Sequence, residues 1–169
     1  MATKAELLNQ LRRLRQTGFA AKLAQQATAQ NFPIAFFFSI ASRETNCTNE
    51  LGDFVNGEAH GVGIIQIDIQ HEIARQARDD GSWETNPDPL ILFGAQLLAG
   101  NINQAQQQFP DLAAEQQLKI AASGYNCGMG CAIAAARNGD SDQHTTGHDY
   151  GRDVMTRMGL FEQLIAENA

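Results

Sequence analysis

Residues 34–42, IAFFFSIAS, are nine apolar or small side chains in a row, preceded by Pro33 and cut off by Arg43-Glu44. A helix that is apolar on every face has to be wrapped by other elements, because a surface helix shows a polar stripe. The run is about half the roughly 20 residues that a membrane span needs, so it reads as the central helix of a globular domain, opened by a first-turn proline. Its end is the part that burial alone does not explain. A carboxyl on the last turn of such a helix is solvated, paired with Arg43, or set into a partly apolar wall. In the last case desolvation raises its pKa and leaves it protonated near neutrality, as a general acid must be.

The rest of the chain supplies the wrapping. Thr3 and Glu6 form a capping box ahead of Leu7, Leu8, Leu11 and Leu14 at helical spacing. Thr17-Gly18 ends that helix, and Phe19–Ala29 resumes the pattern. Further helices are expected at 70–78, 89–109, 113–123, 130–137 and 149–167. Between 51 and 63 the glycines Gly52, Gly57, Gly61 and Gly63 break any helix, and Val62, Ile64, Ile65 and Ile67 suggest a short β-ribbon or an extended segment. The expected fold class is mainly α (α+β), with a small glycine-rich lobe directly after Glu44. At 169 residues one domain is expected, a 33–158 core with residues 1–31 as a helical extension packed on it.

Charge and cysteines narrow the function. The net charge of −7 argues against nucleic acid, and the five basic residues among the first 22 read as a solvated helix face. Three cysteines do not make a disulfide scaffold or a zinc site. A single bridge from Cys47 to Cys127 or Cys131 is one reading, and buried free thiols are the other. "HEIAR" at 71–75 lacks the second histidine of a zincin, His144 and His148 read as loop residues, and "GYNCGMG" lacks the strand and the lysine of a phosphate loop. The first fifteen residues show no uninterrupted apolar stretch of a secretory leader. The expectation is a secreted or periplasmic protein whose leader is absent from this chain, with a cytosolic protein as the alternative.

Four stretches, "SIASRETN", "GVGIIQID", "SGYNCGMG" and "TTGHDYGRDV", occur in an order that resembles goose-type lysozymes and the related lytic transglycosylases. The resemblance runs from about Ile34 to Met158, nearly three-quarters of the chain. It implies a lysozyme-like fold and a muramidase that cleaves the β-1,4 bond of peptidoglycan without metal or cofactor. Glu44 would be the acid, with Asp68 and Asp53 positioning the water and Glu58 as the other candidate in the lobe. Gln66, Tyr125, Asn126 and Tyr150, with His60, form the implied substrate-binding set. Tyr125 would hydrogen-bond near the Glu44 carboxyl or orient the sugar, Asn126 would fix the turn, and Tyr150 would help close the cleft from the last helix. An inverting hydrolase needs a second carboxylate across the bond, whereas a transglycosylase needs none. Carboxylates at both 53 and 68 therefore favour hydrolysis. A transglycosylase, a chitin-cleaving relative and a non-catalytic saccharide-binding protein are the alternatives. The expected partner is peptidoglycan or a related N-acetylated glycan, met by a monomer that a protein inhibitor could regulate.

Overall fold

The computed structural model describes residues 2–167. The order is α1 (Lys4–Gln16), α2 (Phe19–Ala29), α3 (Ile34–Thr45), β1 (Leu51–Val55), β2 (Glu58–Val62), β3 (Ile67–Asp68), α4 (Glu72–Asp80), α5 (Ser82–Thr85), α6 (Asp88–Gln108), α7 (Ala114–Cys127), α8 (Met129–Arg137) and α9 (Tyr150–Glu167). A 3-10 turn at Thr146–His148 precedes α9. Among the described residues the structure is mainly helical with one three-stranded antiparallel sheet, as expected. No described helix is long and apolar enough to cross a membrane.

The apolar run forms α3, with Pro33 at its N-cap instead of inside its first turn. Phe36, Phe37, Ile40 and Ala41 are fully buried, and α9, α2 and the sheet's connecting turn cover the helix. The helix stops where Asn46 and Cys47 both take positive φ, 51° and 62°. The Cys47 and Asn46 amides then donate to Ala41 O and Ser42 O, each at 3.1 Å, which satisfies two of the terminal carbonyls. From the opposite side Arg13 of α1 reaches Asn46 O at 2.8 Å and Thr48 Oγ1 at 2.9 Å. One residue of the basic N-terminal face thus clamps the turn that follows Glu44.

The lobe differs from the expected ribbon. Its hairpin pairs β1 with β2, Leu51 with Val62 and Val55 with Glu58, across Asn56-Gly57 at φ 52° and 85°. This is the left-handed pair that a tight hairpin turn demands, so "NG" was the informative signal. Ile64 and Ile65 lie in the buried turn before β3, not in a strand. α4 also starts two residues later than expected, and the short α5 went unforeseen. α7 runs on to Cys127, which puts Tyr125 and Asn126 on its last turn. All three cysteines are free, and Cys47 alone is fully buried, so the bridge considered from sequence is absent.

The start of α9 is held by a remote carboxylate. Asp142, fully buried, accepts from Gly151 N at 2.7 Å and Arg152 N at 3.0 Å, an N-cap delivered from the preceding loop. Gly151 is required there because a Cβ would lie 2.7 Å from the Lys119 carbonyl and 2.5 Å from Ser123 Oγ on α7. Gly151→Ala should therefore destabilise the fold by roughly 1–3 kcal/mol. Urea unfolding of the variant at unchanged m-value measures it, and wild-type stability would show that α9 can shift away from α7.

Candidate active site

A cleft of about 420 Å³ lies between the β lobe and the α7–α8 junction, lined among others by Glu44, Asp53, Gln66, Asp68, Tyr125 and Asn126. Glu44 projects into it from the last turn of α3, where the helix core leaves little water. Burial pushes its carboxyl from an ordinary 4.5 up to about 7, and the nearby charge of Asp53 adds to that. A hydrogen bond from Tyr150 and the charge of Arg43 oppose the rise without cancelling it. The Tyr150 hydroxyl donates to Glu44 Oε1. Arg43 is not paired with its neighbour in sequence and turns instead to Asp149 and Asp153.

The lobe brings Asp53 and Asp68 to the cleft and leaves Glu58 out. Glu58 is exposed at the hairpin and pairs with Arg78 at 2.9 Å. Asp53 takes φ 49° inside β1, a left-handed conformation costing a non-glycine residue roughly 1 kcal/mol. The flanking residues stay in register, so the strain re-aims one residue without adding another. Asp68 closes β3 and lines the cleft, and its Oδ1 accepts from Gln70 N at 2.7 Å. His60 stands on β2 outside the lining residues.

Gln66 serves the lobe before it serves any ligand. Its Nε2 donates to Glu50 O at 3.0 Å and Gly63 O at 2.8 Å, so both amide hydrogens are committed. Its Oε1 lies where a Cβ on Gly52 or Gly61 would sit, 2.2 and 2.1 Å away, so the paired glycines make its seat.

Tyr125 donates to Ile65 O at 2.8 Å, not to Glu44, although the glutamate's charge reaches it. Burial holds both tyrosine hydroxyls well above their usual pKa, so each remains a proton donor. Asn126 Oδ1 accepts from Thr146 N at 2.8 Å, tying the end of α7 to the loop before α9.

Sequence reasoning missed part of the wall. His71, set aside with the zincin-like segment, lines the cleft at the N-cap of α4 with its ring 4.9 Å from that of Phe93. Leu97 and Asn101 of α6 line it too, from a helix whose pattern shows only its core face. His144 and His148 lie outside the cleft lining. No cluster of three or more histidine, cysteine or acidic residues able to hold a metal occurs among the described residues.

Comparison with known proteins gives a consistent result. The family described as Lysozyme g matches residues 9–164. Lysozyme g of Casuarius casuarius is 32% identical over 129 residues, 76% of this chain and 64% of that protein. Lysozyme g of Struthio camelus is 31% identical over the same length, covering 58% of itself. Lysozyme g of Epinephelus coioides is 28% identical over 150 residues, 85% of this chain and 74% of its own. The matched region thus spans about three-fifths of the two bird proteins.

The raised pKa of Glu44 has a consequence independent of activity. Its carboxyl ionises near 4.5 in an unfolded chain and near 7 when folded, so the unfolded chain gives up the proton first. The folded state therefore loses stability as pH climbs from about 4.5 to 7. Glu44→Gln should remove that loss and gain on the order of 3 kcal/mol over wild type above pH 7, with no gain at pH 4. Denaturant unfolding across this range measures it, and parallel curves would mean that Glu44 titrates normally.

Proposed function

The chain belongs to the lysozyme g family, and from that premise we propose that it is a muramidase, cleaving the β-1,4 bond between N-acetylmuramic acid and N-acetylglucosamine in peptidoglycan by inverting hydrolysis. The observation that carries the reading is a glutamic acid held half-protonated near pH 7 in a cleft that also presents two aspartates. Glu44 gives its proton to the glycosidic oxygen as the C1–O bond breaks. Because Tyr150 occupies Oε1, the transferable proton resides on Oε2. Asp53 and Asp68 hold a water on the opposite face of the sugar and take its proton as it attacks C1, which inverts the anomeric centre. The Tyr150 hydroxyl then stabilises the carboxylate left on Glu44.

The remaining contacts fit a polar sugar chain. Gln66 and Asn126 line the cleft, and among the described residues Gln66 Oε1 and Asn126 Nδ2 make no hydrogen bond to the protein, so they offer an acceptor and a donor for an N-acetyl group. Tyr125 shapes the floor while its hydroxyl stays on Ile65 O. In this reading residues 33–158 hold every group with a chemical role. Residues 1–31 buttress them through buried Leu7, Leu11 and Leu14 and the Arg13 clamp. The substrate places the site of action in the bacterial wall.

Mass spectrometry of purified peptidoglycan digests tests the reading. Wild type should release fragments with reducing-end muramic acid. Glu44→Gln should lower the rate by roughly 10²–10⁴-fold, and Asp53→Asn should lower it as well. Anhydro-muramic products would assign an intramolecular transglycosylase and remove the aspartates from the chemistry. Saccharide binding without any product would leave a binding protein.

Two further dependences follow. Since the acid must be protonated, kcat/KM should fall as pH rises through about 7, where Glu44 ionises. With a net charge of −7 on an anionic substrate, wall lysis should rise with ionic strength from low salt, as screening relieves the repulsion. A steady decline from the lowest salt upward would contradict the role given to repulsion.

A further inference from the structure

We infer that Arg43 is a positioning residue for the general acid: clamped by Asp149 and Asp153 and lying on the Tyr150 ring, it fixes the hydroxyl that donates to Glu44 Oε1 and so keeps the transferable proton on Oε2. The inference rests on the muramidase reading for its role and on geometry for its content. All the polar contacts of Arg43 go to the short segment that surrounds Tyr150. Nη2 donates to Asp149 Oδ1 at 3.0 Å and Thr146 O at 3.4 Å, and Nη1 donates to Asp153 Oδ2 at 3.0 Å. The guanidinium carbon lies 5.5 Å from the tyrosine ring centroid. One planar fork thereby ties the last turn of α3 to the first turn of α9, which a lysine, with a single charge centre, cannot reproduce.

The network serves geometry more than stability. Asp153 is buried, and its Oδ2 accepts from both Arg43 and Arg157, the latter at 2.8 Å. Arg157 in turn donates to Ser42 O at 3.1 Å and Ser42 Oγ at 2.7 Å. The other oxygen of Asp153 is buried without a partner. Buried ion clusters return little net stability against their desolvation, and an unsatisfied oxygen costs more. What they impose is one arrangement of the α3 and α9 turns, and therefore one place for the Tyr150 hydroxyl.

The charged and titratable groups that influence or touch Glu44 are Arg43 on its own helix, Tyr150 on α9 and Asp53 on β1, while its charge is felt by Tyr125 on α7. Arg43→Gln removes a positive charge and frees Tyr150. Both changes favour the protonated carboxyl, so Glu44 should titrate higher and activity should persist to higher pH. The misplaced proton should lower kcat by roughly 10- to 100-fold with KM unchanged.

The test uses Arg43→Gln, Arg43→Lys and Tyr150→Phe, with Arg12→Gln on the exposed face of α1 as control. Arg43→Gln should move the alkaline limb of kcat/KM upward. Arg43→Lys should lose kcat similarly while keeping the limb closer to wild type. In the Tyr150→Phe background Arg43→Gln should cost much less kcat, because Arg43 acts through the tyrosine. An equal loss of kcat in both backgrounds, or a lower melting temperature with kcat and limb unmoved, would overturn the proposal and leave Arg43 a structural residue. The pH-dependent stability gap between Arg43→Gln and Arg43→Gln/Glu44→Gln reports the Glu44 midpoint without substrate. An upward shift there supports the positioning role even if the wild type releases no product, an outcome that would count against the muramidase reading alone.

Discussion

The fold is arranged around a helix that is buried from Ala35 to Ser42. Burying α3 over that stretch commits α9, α2 and the turn before β3 to cover it, and its charged side chains, Arg43 and Glu44, emerge together at the last turn. Glu44 emerges there with apolar helix behind it and Asp53 before it, so its raised pKa follows from the same burial that stabilises the fold. The polar groups needed at such an end are supplied from far along the chain: Arg13 on one side, Asp149 and Asp153 on the other. Stability and chemistry meet in one turn of helix.

The lobe opposite depends on a second pinning point. The turn between β2 and β3 is held by Thr45 Oγ1 donating to Ile64 O at 2.9 Å and by Tyr125 donating to Ile65 O. Across from it α6 presents Gly94, where a Cβ would lie 2.1 Å from the end of Ile65. With that turn fixed, Gln66 braces the hairpin from inside and Asp53 is turned toward the cleft at the expense of a strained backbone. Tyr125 is thus more useful to the lobe than a direct partner of Glu44 would be. The two tyrosines divide the work, one holding the floor and one holding the acid.

Much of this was legible from residue order. The capping box at Thr3, the continuous apolar run, the helical periodicities and the exit of Glu44 from a greasy helix all follow from local chemistry, and the structure contains them. The errors have physical causes. The hairpin is exposed, with Phe54 64% and Val55 50% accessible, so it lacks the alternation that marks a half-buried strand, and only Asn56-Gly57 announces it. The helix expected at 113–123 runs on to Cys127, with Tyr125 donating to Ile65 O and Asn126 accepting from Thr146 N in its last turn, contacts to residues 60 and 20 positions away. His71 and the Arg43 clamp were invisible because their meaning lies in partners 22 and 106–110 residues away.

Burial keeps Glu44 protonated at a pH where an ordinary glutamate is ionised. Carbon-13 NMR of the labelled side-chain carboxyls, followed from pH 3 to 9 (roughly spanning the carboxylate and histidine ranges) and assigned by comparison with Glu44→Gln, reads it directly. One glutamate resonance, missing in the variant, should titrate with a midpoint of about 7. A midpoint for that resonance near 4.5 would contradict it, because the cleft would then hold a carboxylate with no proton to give at neutral pH.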